Sequence, residues 1–335
     1  MSTPPSAGTV AQAFQATAAA RANYPALRAH GGRIAWTWGD YRRRVRECAA
    51  GLAGLGCMRG DTLACWLTTR PEFHVVDVAA AHLAVASLSV YPSATADQAE
   101  SAIAVSGCRI LVTEKLFLDQ ALQVRDSGTT RLQTIVCLDG GNETTLSWQE
   151  LIECEQEEFD LGDAAAAVTP DDLLTVIYTV CTDGTPRLVA LTHADVIARV
   201  VALRERLALG DGWRAISWQP IAGITERLCT RYLPLAYGWH VTTCPDPGVI
   251  AASLPEIRPE FFWAQPSVWE EMRASVRARF QGDTERAAAD RAAVLAALGL
   301  EQVRIAIVAA SCPPDVVGFW RALGVPLNIE ELCSQ

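Results

Sequence analysis

Between Tyr178 and His193 the chain reads YTVCTDGTPRLVALTH. Thr179 and Thr182 offer hydroxyls, Gly184 a backbone free to turn, and Arg187 a permanent cation. Hydroxyls, turn N–H groups and a guanidinium on one short loop suit an anion such as phosphate. Asp183 opposes that use, since two unit charges about 4 Å apart repel by roughly 1–4 kcal/mol in a surface-like to aqueous dielectric. The lysine-and-serine signature of a P-loop is missing. An ordinary turn between buried strands accounts for the same residues, so the stretch alone leaves both readings open. His193 reads as a hydrogen bonder at a helix start in preference to a general base.

The elements that must carry this loop follow from hydrophobic patterning. Short apolar runs at 62–67, 87–91, 109–112, 134–138, 173–179, 215–218, 239–243, 260–263 and 303–308 predict buried strands. Helical periodicity lies between many of them. Tyr41, Val45, Cys48, Leu52 and Leu55 recur at spacings of three and four until Gly56 stops the pattern. Thr192 is an N-cap for a helix through Val196, Val200 and Leu203. Strands separated by helices imply βαβ units and mostly parallel sheet. The expected fold class is therefore α/β. Residues 158–172 have little periodicity and a Pro-Asp turn, which predicts a seam there between a first lobe, 1–165, and a second, 166–335. The polar run at 281–290 predicts entry to a helix over 286–298. GLAGLG, at the end of the first long helix, is not a dinucleotide fingerprint, because it follows a helix and lacks the GxGxxG spacing. Asn142 begins a glycosylation sequon with no use in a cytosolic chain.

Bulk properties exclude several classes. A formal charge of −10 leaves no basic field for nucleic acid or an anionic membrane. Twenty-seven arginines stand against one lysine, Lys115. The 11 cysteines are odd in number and show no CxxC pair or His/Cys cluster, which argues for reduced thiols in the cytoplasm and against a metal site. The N-terminus has no secretory pattern, and no apolar run approaches the roughly 20 residues of a membrane helix.

The loop and five further segments in chain order carry a resemblance, the first of the five being TWGDYRRRVRECAAGLAGLGCMRGDTLACWLTTRPEF. The loop matches the pattern YTSGTTGxPKGVxLTH at Tyr178, Thr179, Thr182, Gly184, Pro186, Val189, Leu191, Thr192 and His193. SLSVYPSATADQ is similar to VPVYPTSTAEQ. QPIAGITER followed by YLPLAYGWHV is similar to LPLAHIFER and YLPLxxGAxV. IRPEFFWAQPSVWEEM is similar to VRPTxFxxVPRVWEKI, and PPDVVGFWRALGVPL to SPEVLEFFRALGIPV. These patterns belong to the adenylate-forming superfamily, and among its members the chain most resembles long-chain acyl-CoA synthetases. The resemblance implies two parallel-sheet lobes flanked by helices, the large N-terminal domain of such an enzyme. It implies a reaction in which a carboxylic acid and ATP give an acyl-adenylate, whose acyl group passes to coenzyme A. The family's C-terminal lid is absent from these 335 residues, and a complete protein of about 500 residues is expected.

The same resemblance assigns residues. Thr179, Thr182, Gly184, Arg187 and Ser334 fall at phosphate- or adenylate-binding positions. Ala309, Ala310, Ser311, Glu331 and Leu332 fall at the adenine pocket. Gly223, Ile224 and Val308 fall along the acyl pocket, with Gly223 in place of a gate histidine and therefore room for a bulky acid; Trp218 is a further candidate for its wall, although core packing explains that residue better. No metal ligand and no catalytic residue is assigned. Departures collect on the nucleotide side. Val180 and Cys181 replace Ser-Gly, Asp183 replaces threonine, Leu188 replaces glycine, Glu331 replaces the tyrosine that stacks on adenine, and Gln335 replaces the magnesium-binding glutamate. ATP and magnesium are thus doubtful cofactors. The expectation is a ligase that takes a preformed acyl-adenylate, supplied by a separate adenylating enzyme, and forms acyl-CoA. A full ATP-dependent synthetase and a non-catalytic scaffold are the alternatives.

Overall fold

The continuous apolar runs become strands buried on both faces, as parallel sheet requires. The computed structural model describes residues 7–32, 34–154, 158–180, 186–281, 289–308 and 311–330. Fourteen strands among them form two sheets of seven. In chain order they are β1 (Pro25–Ala29), β2 (Ala35–Thr37), β3 (Thr62–Trp66), β4 (Ala86–Ser89), β5 (Ile110–Thr113), β6 (Thr134–Cys137), β7 (Leu146–Ser147), β8 (Leu173–Val180), β9 (Pro186–Thr192), β10 (Arg214–Ser217), β11 (His240–Thr243), β12 (Phe261–Ala264), β13 (Ile305–Val308) and β14 (Leu327–Ile329). The first sheet runs β7-β6-β5-β3-β4-β8-β9 and the second β14-β13-β12-β10-β11-β1-β2. Neighbours are parallel except the edge pairs β8–β9 and β1–β2. Two mainly parallel sheets flanked by helices are the expected fold class.

Side-chain alternation places the core. Leu63 and Cys65 of β3 face a central apolar cluster, while Ala64 and Trp66 face an outer one. Phe261 and Trp263 of β12 join the central cluster, and Phe262 and Ala264 a separate outer one. The central cluster also takes residues from the helices Val10–Ala20, Trp38–Gly54, Pro71–His82 and His193–Leu207. A layer of helices therefore lies between the sheets, and each sheet buries its other face under further helices.

The strands do not divide between the sheets at the expected 165/166 line. β1 and β2, early in the chain, complete the second sheet, and β8 and β9 complete the first. Residues 158–172 are likewise not a structureless seam. They contain the helix Leu161–Ala167, capped by the Asp160 carboxylate, which accepts from the Asp163 N–H at 2.8 Å. Its periodicity is invisible because alanines occupy most of it, and alanine favours helix without marking a face. The chain crosses between sheets twice, through Trp38–Gly54 and again through His193–Leu207.

GLAGLG receives a packing explanation. A β-carbon on Gly54 would lie 1.7 Å from the Cys154 carbonyl oxygen, and one on Gly51 would lie 2.2 Å from that of Leu151. The helix Trp38–Gly54 thus touches the end of the helix Trp148–Glu153 through bare backbone. Gly56 follows at φ +81°, where side chains are strained. Gly54→Ala should destabilise the protein by about 1–3 kcal/mol in urea unfolding, through overpacking against backbone. Gly318→Ala, on an open helical face with nothing within 4 Å, should be neutral or stabilise by up to about 1 kcal/mol. Equal stability of the two variants would contradict this packing.

Candidate functional site

The stretch from Tyr178 to His193 builds a hairpin that feeds a helix. β8 and β9 pair antiparallel, with Thr179 opposite Arg187 and Tyr178 opposite Leu188. β9 extends well beyond the apolar triplet at 189–191, because pairing with β8 carries Arg187 and Leu188 into the sheet. Thr192 then caps the helix. Its hydroxyl accepts from the Asp195 N–H at 3.1 Å, and the Asp195 carboxylate accepts from the Thr192 N–H at 2.8 Å. His193 is buried, and its Nδ1 accepts from the Val10 N–H at 3.1 Å. Burial pushes its pKa down to about 4, so it is a neutral tie to the first helix.

Several expected site residues lie outside the described residues: Thr182, Gly184, Ala309, Ala310, Glu331, Leu332 and Ser334, with Cys181, Asp183 and Gln335. Of the others, Arg187 and Ser311 are exposed. Thr179 lines a cavity of about 410 Å³ with Tyr178, Ser89, Tyr91, Gln98 and Ala102. The Tyr178 hydroxyl is held by Ser101 Oγ at 3.0 Å, which fixes that wall.

Gly223 borders the same region. A β-carbon there would sit 3.8 Å from the Tyr91 hydroxyl and 3.8 Å from the Pro220 carbonyl oxygen, so a larger side chain would extend toward Tyr91. Ile224 is half-buried and opens the short helix Ile224–Arg227. Trp218 and Val308 lie elsewhere. Both are buried in the outer cluster of the second sheet, with Ile216, Phe262 and Trp269, and the Trp218 indole N–H donates to the Trp263 carbonyl at 3.3 Å. The four residues assigned to an acyl pocket therefore separate into two near a crevice and two in packed core. The crevice is formed by loops that follow the C-terminal ends of β3, β4, β10 and β12. Across it the Thr69 hydroxyl donates to the Gln219 carbonyl at 3.0 Å.

Behind the crevice lies a buried polar network. Arg227 has no exposed surface. Its Nε donates to the Ile221 carbonyl at 2.8 Å, and its terminal nitrogens donate to Ser87 Oγ at 3.1 Å, Ser89 Oγ at 2.5 Å and Thr175 Oγ1. The Asp77 carboxylate is 3.7 Å away and also pairs with Arg231, whose guanidinium lies 4.2 Å over the Phe73 ring. Burial works against the charge of Asp77, yet Arg231 and Arg227 outweigh it and hold its pKa below the usual value. Glu226 turns the other way. Its carboxylate accepts from Ser217 Oγ at 2.8 Å, Thr230 Oγ1 at 3.0 Å and the Trp263 indole N–H at 2.7 Å. Burial raises its pKa to about 7. A π-helical turn, Leu228–Tyr232, follows the pair, a feature frequent near functional sites. The adjacent Glu-Arg dipeptide was visible in the sequence. Asp77 showed only as the one acid inside the apolar run VVDVAAA.

Glu226 makes a signed prediction. Between about pH 4.5 and 7 the folded state keeps its proton and the unfolded state loses it, so this residue's contribution to stability falls as pH rises. The full effect is up to about 3 kcal/mol. The buried histidines His82, His193 and His240, with pKa values lowered to about 4, act in the opposite direction. The difference between wild type and Glu226→Gln isolates the carboxyl. In urea unfolding the variant should gain on wild type from pH 5 to 7, and parallel profiles would contradict the assignment.

Comparison with known proteins adds to this geometry. The sequence profile of AMP-binding enzymes matches residues 14–332. The uncharacterized protein Rv1549 of Mycobacterium tuberculosis is 41% identical over 132 residues, 39% of this chain and 73% of that protein. A protein of the same organism provisionally assigned as a fatty-acid–CoA ligase, fadD11, is 36% identical over 142 residues, 42% of this chain. That match spans a quarter (25%) of the ligase's own length. The crystal structure of the anthranilate CoA ligase AuaEII in complex with anthranoyl-AMP superposes with a TM-score of 0.78 at 17% identity. It covers 95% of this chain and 58% of that one, and establishes the likeness of fold. With the profile matched along nearly its whole length, the chain belongs to the AMP-binding enzyme family.

Proposed function

We propose that this chain is the acyl- and adenylate-binding part of an acyl-CoA ligase that works on a preformed acyl-adenylate of a bulky carboxylic acid. The observation that carries the reading is the cavity shared by Thr179 and Tyr91, with Gly223 across Tyr91. Its volume of about 410 Å³ lies within the range of small-molecule sites, roughly 300–1,000 Å³. Ser89, on its wall, accepts from buried Arg227, and two arginines against Asp77, with Glu226 partly protonated near neutral pH, leave a net positive charge behind the cavity. That charge favours an anion such as an acyl phosphate. Thr179 and Arg187, paired across the hairpin, would hold one phosphate. Asp183 and the missing Ser-Gly and glutamate disfavour a metal-bound triphosphate. AuaEII, whose structure holds anthranoyl-AMP, supports an aromatic acid.

In the proposed step the coenzyme A sulfur attacks the acyl carbonyl carbon. The bond from that carbon to the phosphate oxygen breaks, AMP leaves, and the thiol proton passes to water. The adenylate is already activated, so positioning is the main requirement. A separate adenylating enzyme would supply the substrate in the cytoplasm. None of the described helices is long and apolar enough to cross a membrane.

The test uses the intact protein. A non-hydrolysable acyl-adenylate should bind on the order of a hundredfold more tightly than ATP–magnesium by titration calorimetry, roughly 2.7 kcal/mol. Synthetic acyl-adenylate with coenzyme A should give acyl-CoA, with little exchange of pyrophosphate into ATP. Vigorous acid-dependent exchange would instead establish a full synthetase. Inertness toward acyl-adenylate would leave a scaffold.

A further inference from the structure

We infer that Gln219 and Gln265 form a hydrogen-bonding subsite for a hydroxyl carried on the acyl group, away from its carboxyl. This rests on the acyl-binding reading above and narrows the substrate class. Gln219 follows β10 and is 8% exposed. Its backbone carbonyl is taken by Thr69, and its side-chain Oε1 accepts from Gln265 Nε2 at 3.3 Å. Its Nε2, buried and carrying two protons, has no hydrogen-bond partner among the described residues. An unpartnered buried amide is costly, and a packed core would hold an apolar residue there. The two segments that this region resembles, LPLAHIFER and VPRVWEKI, carry leucine and valine at these places. Gln265 also forgoes an alternative. It stands at the N-cap of the helix Pro266–Arg279, yet its side chain caps nothing and reaches Gln219 instead.

Position and chemistry then specify the ligand group. Both glutamines follow the C-terminal ends of parallel strands, the edge at which open α/β sheets bind ligands. Gly223, facing Tyr91, lies on the same loop as Gln219. Neutral amides suit a neutral partner. Gln219 Nε2 can donate to a hydroxyl oxygen while Gln265 Oε1 accepts that hydroxyl's proton. A keto oxygen could use only the first bond, and a plain chain neither, leaving the buried amide unpaired.

The experiment is calorimetric binding of the sulfamoyladenosine of a plain bulky ring acid, its monohydroxylated positional isomers and the matching keto acids. On the unmodified protein at least one hydroxylated isomer should bind about tenfold or more tightly than the plain probe, and several-fold better than its keto counterpart. Gln219→Leu should abolish that preference and bind the plain probe as well or better. Gln265→Leu, at an exposed position that should not disturb folding, should weaken the preference several-fold. Equal binding of plain and hydroxylated probes by the unmodified protein would overturn the subsite while leaving adenylate binding standing. So would a preference that survives both substitutions. Preferential binding of the free hydroxy acid, lost in Gln219→Leu, with no binding of any sulfamoyladenosine would support the subsite and remove the adenylate reading. Absence of binding by every probe and free acid would overturn both.

Discussion

Two adjacent buried side chains, Glu226 and Arg227, tie the two sheets together. Arg227 leaves a helix of the second half of the chain and ends among Ser87 and Ser89 of β4 and Thr175 of β8. Its neighbour Glu226 ends on Ser217 of β10 and Trp263 of β12. Two consecutive residues thus bind opposite sheets. A buried charge is tolerated only where its partners satisfy it, and those partners come from strands far apart in sequence. The arrangement makes the relative position of the sheets part of the cost of solvating or burying one side chain.

The crevice inherits its geometry from that constraint. Ser89 both accepts from Arg227 and lines the cavity beside Thr179. Thr69 reaches Gln219 across the gap, and Gly223 leaves space toward Tyr91. These loops are the C-terminal ends of parallel strands from two sheets, where backbone and side chains converge without disturbing the ladders. The paired strands β8 and β9 sit at the edge of the first sheet, and Tyr178 and Thr179 of β8 line the cavity.

What the sequence disclosed follows from the range of each interaction. Strands buried on both faces, such as β3 and β5, are continuous apolar runs and could be read directly. β1, β2, β7 and β14 are two to five residues long and partly exposed, and no periodicity develops over so short a span. Sheet membership was not legible either, because β1 pairs with β11, two hundred residues away, for reasons of packing and not of local pattern. The Thr192 cap and the helix stop at Gly56 were legible as local chemistry, whereas Gly51 and Gly54 answer to a contact with residues 151 and 154. Val308 was assigned to a pocket by segment resemblance, but strand alternation turns it toward the outer cluster, where Trp218 also packs as core. The Gln219–Gln265 contact spans 46 residues and has no local signature at all.

The central claim is that Arg227 couples the sheets. Its most direct test is the urea unfolding of Arg227→Met, followed by tryptophan fluorescence and by circular dichroism. Removing one member of a buried ionic network typically costs about 3–5 kcal/mol. The account predicts a loss of that size, with the two probes no longer coincident because the sheets unfold less cooperatively. A single coincident transition with a loss under about 1 kcal/mol would contradict it.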